Sequence, residues 1–281
     1  MRLLSRLRHW LATRFIRWLT AERPPAADVP AFDFTTFARQ VAPADVLLID
    51  GRSRVSEIIK SVSQSSWSHV AIYLGRPSEL EARTYGRVCG SSGCDHDEPL
   101  ILEVLLGRGT VVTPLASYAG NRMRICRARG LAAEDRDAVL GYVAEHIGYG
   151  YDVRQLFDLA RFTLPWGLFP RRWRSTLFQL NAGHHTRTVC SSLIAEAFQE
   201  VNFPVSPLVY DDREGHTHWR RRNTRLVTPK DFDLSPFFDV VKYPPRGYED
   251  IPAYRAIPWD AAVCNSPDDC VEIGPPTRQK P

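Results

Sequence analysis

No run of about 20 mostly apolar residues, the length a membrane-crossing helix needs, occurs anywhere in the 281 residues. An uninterrupted apolar core of the kind an export signal requires is missing too, because Arg8, Arg14 and Arg17 break up every N-terminal candidate. Six cysteines, at 89, 94, 126, 190, 264 and 270, form no CxxC pair, and a chain of this length does not need a disulfide scaffold. Cys89 with Cys94 and Cys264 with Cys270 could pair in an oxidising compartment; separate free thiols of a cytosolic protein is the reading adopted. Charge of one sign is scarce as well: 36 Lys and Arg against 32 Asp and Glu leave +4, too small an excess to point to nucleic acid. What remains, 44% hydrophobic and 24% charged residues, is enough for a sizeable core in a soluble globular chain.

Two short stretches carry the chemistry. Gly183 to Thr188 reads as a polar turn, after which Leu193, Ile194, Ala197 and Phe198 recur at helical spacing, so Cys190 falls in the first turn of a helix. Backbone N–H groups there have no intrahelical partner. With the helix dipole they favour a thiolate and can donate to an oxyanion on a substrate carbonyl, so Cys190 is the candidate nucleophile. In the other stretch, Ser65 to Tyr73, His69 opens the apolar run Val70-Ala71-Ile72-Tyr73-Leu74, a buried strand rigid enough to aim an imidazole as base. Glu103 is the lone charge in the apolar strand Leu100 to Leu105. Burying a carboxylate there is costly unless it is paired, and an imidazole N–H is a suitable partner.

At this point the sequence resembles the circularly permuted papain-like cysteine hydrolases of the YaeF/YiiX kind, relatives of the NlpC-type amidases and of lecithin retinol acyltransferase, in which histidine precedes cysteine. The matching pieces are Ala44-Asp45-Val46-Leu47-Leu48, Ser68-His69-Val70-Ala71-Ile72-Tyr73, Glu103, Tyr151-Asp152, Val189-Cys190-Ser191 and Thr228-Pro229-Lys230-Asp231-Phe232. The family usually shows Gly-Asp where this chain has Ala44-Asp45, and Tyr-Cys-Ser-Glu where it has Val189-Cys190-Ser191-Ser192; the second departure bears on substrate preference. The resemblance implies an α+β, circularly permuted papain-like fold, with an antiparallel sheet packed against helices and the nucleophile at a helix N-terminus. It also implies a cysteine hydrolase cleaving an amide or ester acyl bond of a lipid or peptide amide through a Cys190–His69–Glu103 thioester mechanism. Ser191 and Tyr151 fall on the substrate and oxyanion side; for Tyr151, a tyrosine closing a turn by packing on the core is an equal alternative. An acyltransferase acting on a lipid and a non-catalytic membrane-associated scaffold with the same fold stay open beside the hydrolase.

The rest of the chain is read around that domain, placed at residues 43–243. Residues 1–20 spell a basic amphipathic helix: Leu3, Leu4, Leu7, Leu11, Phe15, Trp18 and Leu19 lie near one face and Arg2, Arg6 and Arg17 opposite. Such a helix suits peripheral contact with an anionic membrane, hence a cytoplasmic protein on the inner face of the membrane, or packing on its own domain. Residues 21–42 read as a proline-rich linker and 244–281 as an irregular extension. Strands are expected at Val46–Asp50, Thr110–Thr113 and Met123–Arg127, and helices at Val55–Val62 and Ala132–Ile147. Arg76 to Pro99 reads as an inserted loop whose Cys94-Asp95-His96-Asp97 is solvated rather than metal-binding. Phe157 to Phe178 alternates arginine with bulky apolar residues, as membrane interfaces and packed surface loops both do. His184, His185, His216 and His218 lack zincin or finger spacing, so neither metal nor cofactor is assigned, and oligomeric state is left open.

Overall fold

The computed structural model describes residues 14, 17–23, 33–90, 94–151, 187–188, 190–243, 253–257, 262–266 and 269–272. The stretch Phe157–Phe178, His184, His185, Asp152, Val189 and most of residues 1–20 lie outside them.

Six strands form one antiparallel sheet: β1 (Val46–Ile49), β2 (His69–Gly75), β3 (Leu100–Leu105), β4 (Gly109–Pro114), β5 (Met123–Ala128) and β10 (Phe238–Val241), in the order β10-β5-β1-β2-β3-β4. β2, β3 and β4 each pair with the strand before them, while β5 crosses back to β1 and β10 adds to the edge at β5. Alternation along the strands divides the core between the two faces. Val46, Leu48, Val70, Ile72, Leu74, Leu102 and Val104 face the helices α4 (Ala133–Glu145) and α5 (Cys190–Glu200), whose Val139, Leu140, Val143, Leu193, Ile194, Ala197 and Phe198 are buried against them. Phe232 of α6 (Pro229–Leu234) closes that layer. Leu47, Ile49, Ala71, Tyr73, Ile101 and Ile125 face the other way, covered by Phe37 and Leu115. The structure is thus the α+β, permuted papain-like arrangement that the sequence led us to expect.

Phe37 belongs to α1 (Phe34–Gln40), within the stretch 21–42 read as a linker. Prolines 24, 25 and 30 suggested an extended chain, but Asp33 caps the helix by accepting from the backbone N–H groups of Thr35 and Thr36. Phe37 then disappears completely from solvent, a burial worth about 1.5–3 kcal/mol. The folded unit therefore starts before residue 43. Asp33→Ala should cost about 1 kcal/mol of global stability, read by urea denaturation, whereas a cap on a mere linker would leave the midpoint unmoved.

Two further stretches differ from the expectation. Between Arg76 and Pro99 the chain forms α3 (Ala82–Cys89), with Thr84 and Val88 one turn apart and buried. Gly86 inside it and Gly90 at its C-cap masked the helical pattern. In the tail, Ala262–Ser266 and Asp269–Glu272 pair as a hairpin, β11–β12. Both nearby cysteine pairs are disulfides rather than free thiols: Cys89–Cys94, with Cα atoms 5.2 Å apart, and Cys264–Cys270, at 3.9 Å, where the two face each other across the hairpin. Cys126 and Cys190 remain free.

Ala44 stands where the resembled family has glycine, and its φ of 67° explains the family's choice. A left-handed conformation costs an alanine roughly 1–2 kcal/mol. Here the methyl group is buried in the core, and the roughly 0.8 kcal/mol so gained offsets part of that cost. Asp45 beside it is also buried. Its carboxylate accepts from the Ala42 N–H at 2.7 Å and from Arg127 Nε at 2.8 Å and Nη2 at 2.6 Å, so it ties the start of β1 to β5.

Candidate active site

His69 is the first residue of β2, so its ring stands at the end of the sheet. The serine-rich lead-in fixes that position. Trp67 is buried, donates from Nε1 to Asp233 at 3.0 Å and has Arg124 over its ring at 4.9 Å, while Arg124 also pairs with Asp233. Ser68 Oγ accepts from the Gly51 N–H at 2.9 Å. With both preceding side chains locked, the imidazole has little freedom to wander.

Glu103 lies on the face of β3 that adjoins β2 at Ala71, two residues along from His69. It is 1% exposed, and its Oε2 lies 2.7 Å from His69 Nε2. That contact engages Nε2; Cys190, in the first turn of α5, is close enough to the same imidazole for the two to shift each other's protonation, which leaves Nδ1 as the nitrogen for the sulfur. The backbone N–H groups of Val70 and Ser191 lie near enough to help hold the Cys190 sulfur as thiolate. The structure therefore brings Cys190 and Glu103 to the same imidazole, His69 hydrogen-bonded to Glu103 and electrostatically coupled to Cys190, although 121 residues separate Cys190 from His69.

The electrostatics of the three groups are mutual. Burial alone would lower the His69 pKa, but the charges and hydrogen bonds of Cys190 and Glu103 outweigh it and raise it from 6.5 to about 10. Burial likewise pushes the Cys190 thiol up, and the imidazolium beside it, aided by the two backbone N–H groups, pulls it below its ordinary 9.0. Glu103 is held below the usual carboxylate range despite burial, by His69, Thr113 and Tyr118. A thiolate–imidazolium pair beside an ionised carboxylate is the state this geometry favours.

Two of those supporting groups escaped the sequence reading. Thr113 Oγ1 donates to Glu103 Oε1 at 2.5 Å, and the Tyr118 hydroxyl donates to Oε2 at 2.5 Å. The Tyr118 ring stacks on His69 with centroids 6.4 Å apart. Neither residue belongs to a motif; only the pairing of β3 with β4 and the 3₁₀ turn Leu115–Tyr118 brings them to the site. Ser191 is adjacent, but its Oγ donates to the Val227 carbonyl at 2.6 Å, so only its backbone faces the sulfur. Tyr151 sits in the two-residue strand β6 (Gly150–Tyr151), opposite Thr188 of β7 (Arg187–Thr188) and therefore near the chain leading into Cys190.

Other candidate ligands disperse. Cys94 is bonded to Cys89, and the His96 ring stacks on Tyr85. Asp212, Glu214 and His216 bring ligand atoms within 4.8 Å of one another at the exposed turn between β8 (Leu208–Asp211) and β9 (Thr217–Arg220). Among the described residues no helix is long and apolar enough to cross a membrane.

With histidine, carboxylate and cysteine gathered in that chain order, similarity to known proteins can be set beside the geometry. Residues 40–159 match the family model of permuted papain-like amidase enzymes, YaeF/YiiX, C92. This is the family the sequence resembles. The matched span takes in His69, Glu103, Thr113, Tyr118 and Tyr151, and ends before Cys190. A solved structure, metalloprotein yiiX from Escherichia coli O157:H7, is similar over 73% of this chain and 98% of its own, at 14% identity and a TM-score of 0.44. No curated protein matches the chain. The family match supports a hydrolase role of the amidase kind.

Proposed function

We propose that the protein is a cysteine hydrolase that cleaves an amide or ester acyl bond, with Cys190 as nucleophile, His69 as general acid and base, and Glu103 as the group orienting the imidazole. The His69–Glu103 hydrogen bond, with Cys190 at the N-terminus of α5 electrostatically coupled to the same imidazole, supports this reading. The Cys190 thiolate attacks the acyl carbonyl carbon, and unpaired N–H groups of the first helical turn, that of Ser191 among them, donate to the oxyanion. Collapse of the adduct breaks the bond to the leaving group, which takes its proton from His69 and leaves an acyl thioester on Cys190. His69 then removes a proton from water, the resulting hydroxide attacks the thioester, and the carboxylic acid and the thiolate are released.

The substrate class we favour is a lipid or peptide amide, met at an anionic membrane surface through residues 1–20. The arginines of that segment suit acidic headgroups and its leucines and tryptophans suit acyl chains. Where this segment enters the described residues it rests on the domain: Leu19 is buried, and Arg54 lies 4.7 Å over the Trp18 ring and donates to the Trp18 carbonyl. The test is a panel of peptide amides, N-acyl lipids and phospholipids, with product analysis, and the Cys190→Ala protein as blank. Release of a carboxylic acid from N-acyl lipids or peptide amides, absent from the Cys190→Ala blank, is the expected pattern; transfer of the acyl group to an added amine or alcohol in preference to water would make the protein an acyltransferase. Flotation with anionic vesicles should be lost when the chain begins at Ala31, and equal flotation of both proteins would take residues 1–20 out of the membrane contact.

A further inference from the structure

We propose that Thr113 and Tyr118 are positioning residues which, by filling both oxygens of Glu103, keep the Cys190–His69 pair in its reactive ionised form. The inference rests on the catalytic reading above and adds to it the device that sets the protonation state of the site. Glu103 is 1% exposed, and its carboxylate receives three donors: His69 and Tyr118 on Oε2 and Thr113 on Oε1. A buried carboxylate left with one partner would be costly, and in the reactive state the cost is compounded. Thiolate, imidazolium and carboxylate together carry two negative charges and one positive, so the buried site as a whole is an anion. Each hydroxyl turns the positive end of its dipole toward that anion, and removing either favours uptake of one proton.

Geometry points the same way. The Tyr118 hydroxyl shares Oε2 with His69, and its ring stands beside the imidazole with centroids 6.4 Å apart, so one side chain holds the carboxylate oxygen on which the imidazole rests. With Nε2–H held on Glu103, Nδ1 stays directed at Cys190. A Glu103 freed to rotate would let the ring turn, and the thiol would keep its proton. The ionisable groups bearing on this cluster are His69 from β2, Cys190 from α5, Tyr118 from its 3₁₀ turn, and Glu22 from the segment preceding the domain, whose charge acts on Tyr118 and which lies 3.7 Å from Arg52.

The experiment is the pH profile of Cys190 carboxymethylation by iodoacetate in the full-length protein, read by peptide mass spectrometry, which needs no substrate. In Tyr118→Phe, and separately in Thr113→Val, the ratio of the rate at pH 6 to that at pH 8.5 should fall about three- to tenfold, as expected when part of a hydrogen bond to a buried charge is lost. Thr113→Ser, which keeps the hydroxyl, should restore the ratio. Unchanged ratios in both Tyr118→Phe and Thr113→Val, each folded by its melting temperature, would overturn the proposal and leave the two hydroxyls as purely structural. Should Tyr118→Phe fail to fold, the Thr113→Val and Thr113→Ser pair decides alone. Failure of the hydrolase reading looks different: the variants shift the profile, yet no acyl substrate is turned over.

Discussion

Cys190→Ala is expected to remove turnover, by on the order of 10⁴-fold or more, while leaving the fold intact. The side chain is small, half-buried and free of any disulfide, so its loss opens little space. Among the described residues, the neighbouring Ser191 hydroxyl is engaged with the Val227 carbonyl and the other free thiol, Cys126, is buried on β5. His69→Ala should be nearly as severe. The double variant should be no worse than the worse single one, since nucleophile and base act as a unit. Glu103→Gln keeps the volume and an acceptor but discards the charge, and is expected to lower turnover by less than Cys190→Ala. The measurement is kcat on whichever acyl substrate the panel yields, together with intact mass of the enzyme during turnover. A Cys190→Ala protein that retains activity, or an acyl adduct on another residue, would end the nucleophile assignment. An unchanged rate for Glu103→Gln would remove the carboxylate from the mechanism.

How far this site could be read from the chain follows from where each signal resides. His69 was legible because an apolar strand announces itself by composition and the histidine stands at its head. Cys190 was legible because helical spacing after a polar turn locates a helix start. Glu103 was a deduction from cost: one carboxylate inside an apolar strand must have partners. The number and identity of those partners were not legible, because Thr113 and Tyr118 are ordinary residues for a strand and a turn, and only the β3–β4 register and the turn at residues 115–118 deliver their hydroxyls. The same limit hid α1, a seven-residue helix with one cap and one deeply buried phenylalanine, behind the prolines that precede it. Short elements are decided by what they pack against, which a local pattern does not contain.

Across pH, Cys190 is expected to react with iodoacetamide at a rate that falls less from pH 8.5 to about pH 6 than that of an ordinary thiol. An ordinary thiol with a pKa near 8.5 loses thiolate by roughly 150-fold over that interval, and the fall for Cys190 should be smaller. The sign follows from the directions of the shifts. Cys190 is lowered from 9.0 by its imidazolium neighbour, so its thiolate persists below the usual range and is lost only as pH falls through the depressed value. His69 is raised to about 10, so the cation that stabilises the thiolate is present throughout and disappears only as pH climbs through that value. The profile, not the absolute rate at one pH, is the proper reading, because a thiolate of lower pKa is also a weaker intrinsic nucleophile. Cys126 supplies an internal control: burial, with Asp233 adding to it, pushes its thiol up to about 12, and it should stay unlabelled at every pH in the window. His69→Ala should return Cys190 to the ordinary steep profile. If wild-type Cys190 itself climbs through pH 8.5 like a free thiol, the pair is neutral at rest, and activation would have to come from substrate binding, with proton transfer from Cys190 to His69 occurring only as the carbonyl is attacked.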